Sequence, residues 1–202
     1  MEAKDKVYQA FYEIRNKWLY FSELKEKTRL SNSSLQNVLK KLEKEGILYV
    51  DKKSSNIFFK INEAKKPLIF SSLDKVKLNN LNPEIKVPLK NWINELPLEI
   101  KFVILFGSAS RKKEKDGSDI DLLVVLYNFE NDELQKLYEK EIKHKINLLT
   151  KKINSESNYP LKVISTNIDN LSTSRDYLIK QANETGFPIF GNLNYHKQNE
   201  EY

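Results

Sequence analysis

The 202-residue sequence predicts an α+β fold in two parts, on three observations. Two short apolar runs, Phe102–Phe106 and Leu122–Leu126, bracket a polar connection and read as strands. Amphipathic helical stripes occupy much of the remaining chain. Charge is divided unevenly: residues 1–66 carry 15 Lys/Arg against 9 Asp/Glu, whereas residues 67–202 carry 19 against 19. A basic module beside a neutral one suggests a polyanion-binding part joined to a part with another task.

Composition narrows the classes further. An apolar content of 40% suffices for one large or two small cores. With no cysteine, neither a disulfide framework nor a thiolate metal site can form. No apolar run approaches the ~20 residues of a membrane span, and the charged Met1–Ala10 stretch is unlike a secretory signal, so a cytoplasmic protein without membrane contact is expected. His144 and His196 are far apart and are expected at the surface.

In the first part, Val7, Ala10, Phe11, Ile14 and Trp18 form a helical stripe. A short helix fits Ser22–Thr28, with Ser22 as N-cap and Phe21 and Leu24 inward. A third helix starts near Ser31, turns Leu35, Val38, Leu39 and Leu42 inward, and ends at Gly46. Two strands follow, Ile47–Val50 and Ile57–Ile61, around the basic tip Asp51–Asn56. Three helices and a β-hairpin resemble the winged helix-turn-helix. The residues that carry this are Phe21-Ser22-Glu23-Leu24, Leu35 through Leu42, and Gly46-Ile47-Leu48.

That resemblance implies a third helix in the major groove and a hairpin against the backbone or minor groove. The residues it places on duplex DNA are Ser33, Ser34, Gln36, Asn37, Lys40 and Lys41 on the helix, with Lys52 and Lys53 at the hairpin tip. Gln and Asn suit adenine edges and Lys suits phosphate. The same module also serves for protein docking or dimerisation, including a homodimer, and that alternative stays open.

Residues 67–81 read as a connector, with a short strand at Leu68–Phe70 and a weak helical pattern over Ser71–Leu81. Asn82-Pro83 caps and opens a helix carrying Val87, Trp92, Ile93 and Leu96, with Pro88 in its second turn and Pro97 beyond its end. After the two strands, Asn131–Ile153 is a long helix with Tyr138, Ile142, Ile146, Leu149 and Ile153 on one stripe. Leu161–Thr166 is a third strand, Ser172–Thr185 a helix closed by Gly186, and Phe187–Phe190 a last apolar segment. Residues after Asn192 are polar and expected to fray.

The chemistry concentrates between the first two of these strands. Phe106-Gly107-Ser108 ends one; Ser118-Asp119-Ile120-Asp121-Leu122 begins the other. Asp119 and Asp121 lie two apart in a strand and share a face, an arrangement that calls for a hard divalent cation, Mg²⁺ above all. Gly107 lets a phosphate approach the backbone and Ser108 offers a hydroxyl.

This stretch resembles the nucleotidyltransferase fold of the DNA polymerase β superfamily, in particular the minimal nucleotidyltransferases. The pattern is an apolar residue, Gly-Ser, about ten residues often with an Arg, here Arg111, and Asp-x-Asp. Over roughly Asn82–Asn192 the order of elements follows the same fold, a small mixed sheet flanked by helices. The resulting division is 1–66 winged helix, 67–81 connector and 82–202 nucleotidyltransferase domain.

The resemblance implies Mg²⁺ or Mn²⁺ on Asp119 and Asp121 as catalytic ligands, and a nucleoside triphosphate held by Gly107, Ser108 and Arg111. It also implies transfer of a nucleotidyl group, AMP from ATP, to an acceptor hydroxyl, for instance on a HEPN-type partner protein of a toxin–antitoxin pair. Active members carry a third carboxylate on the strand after the long helix. Leu161–Thr166 has none; Asp169 lies just beyond it and Glu130 farther off. The frequent Gly after the Arg is Lys112 here. A DNA-binding regulator whose nucleotidyltransferase domain only senses nucleotide is therefore the alternative.

Overall fold

A computed structural model describes residues 2–14, 18–53, 56–128, 132–173 and 175–198. They fall into two compact units divided between Leu73 and Asp74.

In the first unit, α1 (Ala3–Ile14) presents Val7, Ala10 and Phe11 to a core shared with Leu24 of α2 (Phe21–Thr28) and Leu35, Leu39 and Leu42 of α3 (Asn32–Lys44). Trp18 does not join that stripe: it lies beyond the end of α1 and is exposed. The start of α2 is also one residue earlier than expected. Glu23 reaches back to accept from the Tyr20 backbone N–H at 2.8 Å, so Tyr20, not Ser22, is the capped position. Ser31 caps α3 by accepting from the Ser34 N–H. β1 (Leu19–Tyr20), β2 (Leu48–Lys53) and β3 (Asn56–Ile61) form an antiparallel sheet ordered β1-β3-β2 among the described residues. The hairpin residues Ser54 and Ser55 lie outside the described residues.

Leu68–Phe70 is not a strand. It belongs to α4 (Lys66–Asn79), where Phe70 and Leu73 are buried and Leu68 is exposed, a helical rather than an alternating pattern. Within α4 the chain passes from one unit to the other.

The second unit is a mixed sheet covered on both faces. β4 (Ile100–Phe106) and β5 (Ile120–Leu126) are antiparallel, β5 and β6 (Leu161–Asn167) parallel, and β4 and β7 (Phe187–Phe190) antiparallel, in the order β6-β5-β4-β7. β4 and β5 are fully covered, which is why both read as unbroken apolar runs. One face, with Val103, Leu105, Ile120, Leu122 and Val124, packs on α5 (Pro83–Asn94) and α7 (Asp132–Asn154) through Ile85, Leu89, Trp92, Ile142 and Ile146. Asn82 caps α5, and Pro88 is tolerated inside it. Val87, expected inward, is exposed. Trp92 Nε1 donates to Thr150 Oγ1 at 3.1 Å and ties the two helices together.

The other face carries Phe102, Ile104, Phe106, Leu123 and Val125. It is covered by α8 (Ile168–Thr173), α9 (Tyr177–Thr185) and α10 (Asn192–Gln198). The single helix expected over Ser172–Thr185 is thus two: Asp176 opens α9 by accepting from the Leu178 N–H. The residues after Asn192 do not fray as far as Gln198. Tyr195 is buried edge-on against Phe102, and His196, expected at the surface, is buried 2.6 Å from the fully buried Asp74. A buried carboxylate demands such a partner. Among the described residues no helix is long and apolar enough to cross a membrane.

Candidate active site and nucleic-acid face

The strand registers assemble the candidate site. Across the sheet at one level stand Phe106, Asp121 and Lys162, paired β4 to β5 to β6. Residues in register share a face, so Asp121 and Lys162 project from the side that carries Phe106, Leu123 and Ile164. Immediately after Phe106 the chain turns at Gly107, with φ at +71°, into α6 (Gly107–Ser110). The Asp121 carboxylate lies over that glycine: a Cβ built at Gly107 would overlap Asp121 Oδ2 and stand 3.0 Å from its Cγ. Gly107 is therefore required twice, by its backbone angle and by the carboxylate above it. Asp119 is exposed at the mouth of β5, one residue before the strand begins.

The connection from Ser108 to Asp119 is ordered by short hydrogen bonds. The Arg111 and Lys113 N–H groups both donate to the Ser108 carbonyl. Lys115 N–H donates to Ser118 Oγ at 2.9 Å, and Ser118 N–H returns a bond to the Lys115 carbonyl. Tyr159 donates its hydroxyl to Asp116 Oδ1 at 3.4 Å, and Ile120 N–H donates to Pro160, so the end of the loop is pinned to the start of β6. Arg111, Lys112, Lys113 and Lys115 remain exposed. Lys112 adopts a left-handed φ of +54°, a conformation that glycine takes without strain.

The electrostatics are those of a mixed cluster. Burial pushes the Asp121 carboxyl up, the Lys162 ammonium opposes this, Asp119 adds to it and Arg111 opposes it. Asp119, Arg111 and Lys162 thus all lie near enough to act on the Asp121 carboxylate. Among the described residues no third carboxylate is grouped with them. Asp169 sits in α8, past the opposite end of β6, with Lys162 and Asn167 already about 16 Å apart along the strand. Glu130 lies outside the described residues. Among the described residues no group of three or more His, Cys, Asp or Glu side chains is placed to hold a metal ion.

Mg²⁺ is commonly held by one or two carboxylates together with substrate phosphates, so Asp119 and Asp121 are the carboxylates that would hold such an ion here. On β6 the position in register with Asp121 is Lys162, not a carboxylate.

In the first unit the residues expected on DNA from α3 are exposed apart from the half-buried Ser34, and two depressions adjoin them. Gln36, Lys40 and Lys52 line a groove of about 590 Å³ between α3 and the hairpin, together with Tyr20, Phe21, Glu43, Asn56 and Ile57. Ser33, Ser34, Asn37 and Lys41 line a second depression, toward the start of α1. Lys53 is engaged 3.0 Å from Asp51, and Lys41 approaches Glu45. Lys40 and Lys52 have no ion pair among the described residues.

Two features of the site were not settled by sequence reasoning. A strand period of two puts Lys162 on one of two possible faces of β6, and its register with β5 decides which. The position is fixed by Asn154, whose side chain both accepts from the Leu161 N–H, at 2.7 Å, and donates to the Leu161 carbonyl. Tyr159 as an anchor of the basic loop carried no sequence signal beyond its place before Pro160.

Residues 89–169 match the family model described as nucleotidyltransferase domain. That span runs from the last part of α5 through the start of α8 and contains Gly107, Asp119, Asp121 and Lys162. No curated protein matches the chain.

Proposed function

We propose that the second unit binds a nucleoside triphosphate, ATP, with one Mg²⁺ and transfers its nucleotidyl group to an acceptor hydroxyl, and that the first unit is a winged helix that binds duplex DNA. The observation carrying the first half is the stacking of Asp121 over Gly107 within a span that matches a nucleotidyltransferase domain. Few structural demands explain a carboxylate held against a left-handed glycine at a strand mouth beside a second carboxylate; gripping a cation at the point where phosphates approach the backbone is one.

In the transfer, the acceptor oxygen bonds to the α-phosphorus as the bond to the bridging α–β oxygen breaks. Pyrophosphate leaves and the acceptor proton passes to water. A bound divalent ion would offset phosphate charge and polarise the α-phosphoryl oxygen. Asp119 and Asp121 hold that ion. Gly107 keeps the floor of the site open, and the ordered loop presents Arg111 to the charge developing on pyrophosphate. The acceptor hydroxyl belongs to a partner protein in this reading, of the HEPN type that the resemblance implies.

A second reading draws on Lys162. Without a third carboxylate the unit would bind Mg²⁺-nucleotide without turnover, and the chain would act as a nucleotide-sensing DNA-binding regulator.

Calorimetry with ATP, with and without Mg²⁺, tests the site: Mg²⁺ should strengthen binding at least tenfold in the native chain and have no effect when Asp119 and Asp121 are both Ala, with the fold retained. Equal affinity with and without Mg²⁺ in the native chain would sink the proposal. Labelled ATP then separates the readings. Mg²⁺-dependent label transfer to a partner encoded beside this gene, lost in Asp121→Asn, supports the enzyme. Nucleotide binding with no transfer supports the regulator.

A further inference from the structure

Lys162 stands in register with Asp121 on the same face of the sheet, and its position is locked by the paired hydrogen bonds of Asn154 to Leu161. Adjacent strands are about 4.8 Å apart, so the lysine stem starts beside the carboxylate and its ammonium reaches the same solvent-facing end of the sheet. Ile164, the next residue of β6 on that face, packs into the apolar core and could not present a ligand without disrupting it. The exposed position on β6 in register with Asp121 is thus a lysine.

We infer that Lys162 takes the place of a second divalent ion: the site holds one divalent cation per nucleotide, and the lysine ammonium supplies positive charge to the triphosphate from the β6 side. This rests on the nucleotide-binding reading above. Its physical basis is charge count. Two carboxylates with one lysine and one arginine nearby are already balanced, so a dication entering beside Lys162 gains little attraction from the cluster. A dication held by Asp119 and Asp121 would still gain both carboxylates. With that ion bound the cluster carries a net charge of about +2 toward a triphosphate of about four negative charges, and Lys162 is the part of that charge on the β6 side. The lysine is a positioning and charge-matching residue, since nothing shows it touching reacting atoms.

The test is a stoichiometry, not a rate. The full-length chain is saturated with the non-transferable analogue α,β-methylene-ATP, and bound Mn²⁺ is counted from the loss of the free-ion electron paramagnetic resonance signal. One Mn²⁺ per bound analogue is expected for the native chain, and two for Lys162→Asp, which installs a third carboxylate. Lys162→Ala is expected to bind Mn²⁺ alone about tenfold more tightly and the analogue without metal several-fold more weakly. Opposite shifts for cation and anion are something a merely structural lysine would not produce, and they remain readable if the Asp variant fails to fold. Two Mn²⁺ per analogue in the native chain, an unchanged count in a folded Lys162→Asp, or shifts of the same sign in Lys162→Ala would each overturn the inference while leaving nucleotide binding standing. A native chain that binds no analogue with Mn²⁺ would overturn the underlying reading, and this one with it.

Discussion

Replacing Gly107 by Ala probes the site at its narrowest point. The backbone there has a φ of +71°, which costs an L-residue about 1–2 kcal/mol. The new methyl would also overlap Asp121 Oδ2 and crowd its Cγ at 3.0 Å, so the carboxylate must swing away or the turn must shift, at about 1–3 kcal/mol more. The expected destabilisation is roughly 3 kcal/mol in total. In an Asp121→Ala background the overlapping atoms are gone. The closest remaining neighbour is the Cβ of residue 121 at 3.3 Å, and the cost should fall to about 1–2 kcal/mol. The coupling between the two positions is then about 1–2 kcal/mol, well above the scatter of independent sites. Urea unfolding of the four proteins measures it. Trp92 fluorescence serves as the reporter in a Trp18→Phe background, because the chain has two tryptophans and only Trp92 is in the second unit. A Gly107→Ala cost that is the same with and without the Asp121 carboxylate would refute the steric argument and, with it, the picture of Asp121 seated on Gly107.

Three further outcomes follow from other parts of the molecule. Lys112→Gly should stabilise the second unit by about 0.5–1 kcal/mol, because φ at +54° strains lysine but not glycine; a loss of stability in urea would contradict this. Burial pushes Glu63 up, but hydrogen bonds from Lys60 at 2.6 Å and Lys66 at 3.2 Å hold it below the usual carboxylate range. Its folded-state proton affinity is reduced, so it adds stability above the ordinary glutamate value that is lost as pH falls through its depressed value; Glu63→Gln should flatten that part of the stability–pH curve. Lys40 and Lys52, which lack ion pairs among the described residues, should carry more of any duplex affinity than Lys41 and Lys53, which face Glu45 and Asp51. In titrations of the full chain at two salt concentrations, Lys40→Ala with Lys52→Ala should reduce the salt slope by about 2, and the other pair by less.

How much of this was legible in the sequence depends on whether the determinant is local. β4 and β5 could be read because both faces of each are covered and their apolar runs are unbroken. Asp119 and Asp121 stood out by their spacing at the start of an apolar run, and Asn82-Pro83 marked α5 because its cap is contained in two residues. Leu68–Phe70 misled because a short apolar run does not distinguish strand from helix, and only the packing of Phe70 and Leu73 decided it. The break between α8 and α9 turned on Asp176, one possible N-cap among several polar residues. His196 lay in a polar tail, and its buried partner Asp74 is 122 positions earlier. Lys162 is an intermediate case: the period of two puts it on one face of β6 or the other, and only the pairing of β5 with β6 decides which.

The placement of β7 has a consequence for any attempt to isolate the recognisable domain. The matched span, residues 89–169, stops short of α9, β7 and α10 and starts within α5. A fragment cut to those limits would expose the hydrogen-bonding groups of β4 that now pair with Phe187–Phe190, along a row of Val103, Ile104 and Leu105. It would also uncover Phe102 and Phe106 on the face that Tyr195 and Ala182 close. A bare apolar strand edge is a template for another copy, so such a fragment should self-associate strand to strand. The portion of sequence that identifies the chemistry is smaller than the portion that keeps the sheet to itself, and soluble material will need the chain at least from Asp74 to Gln198.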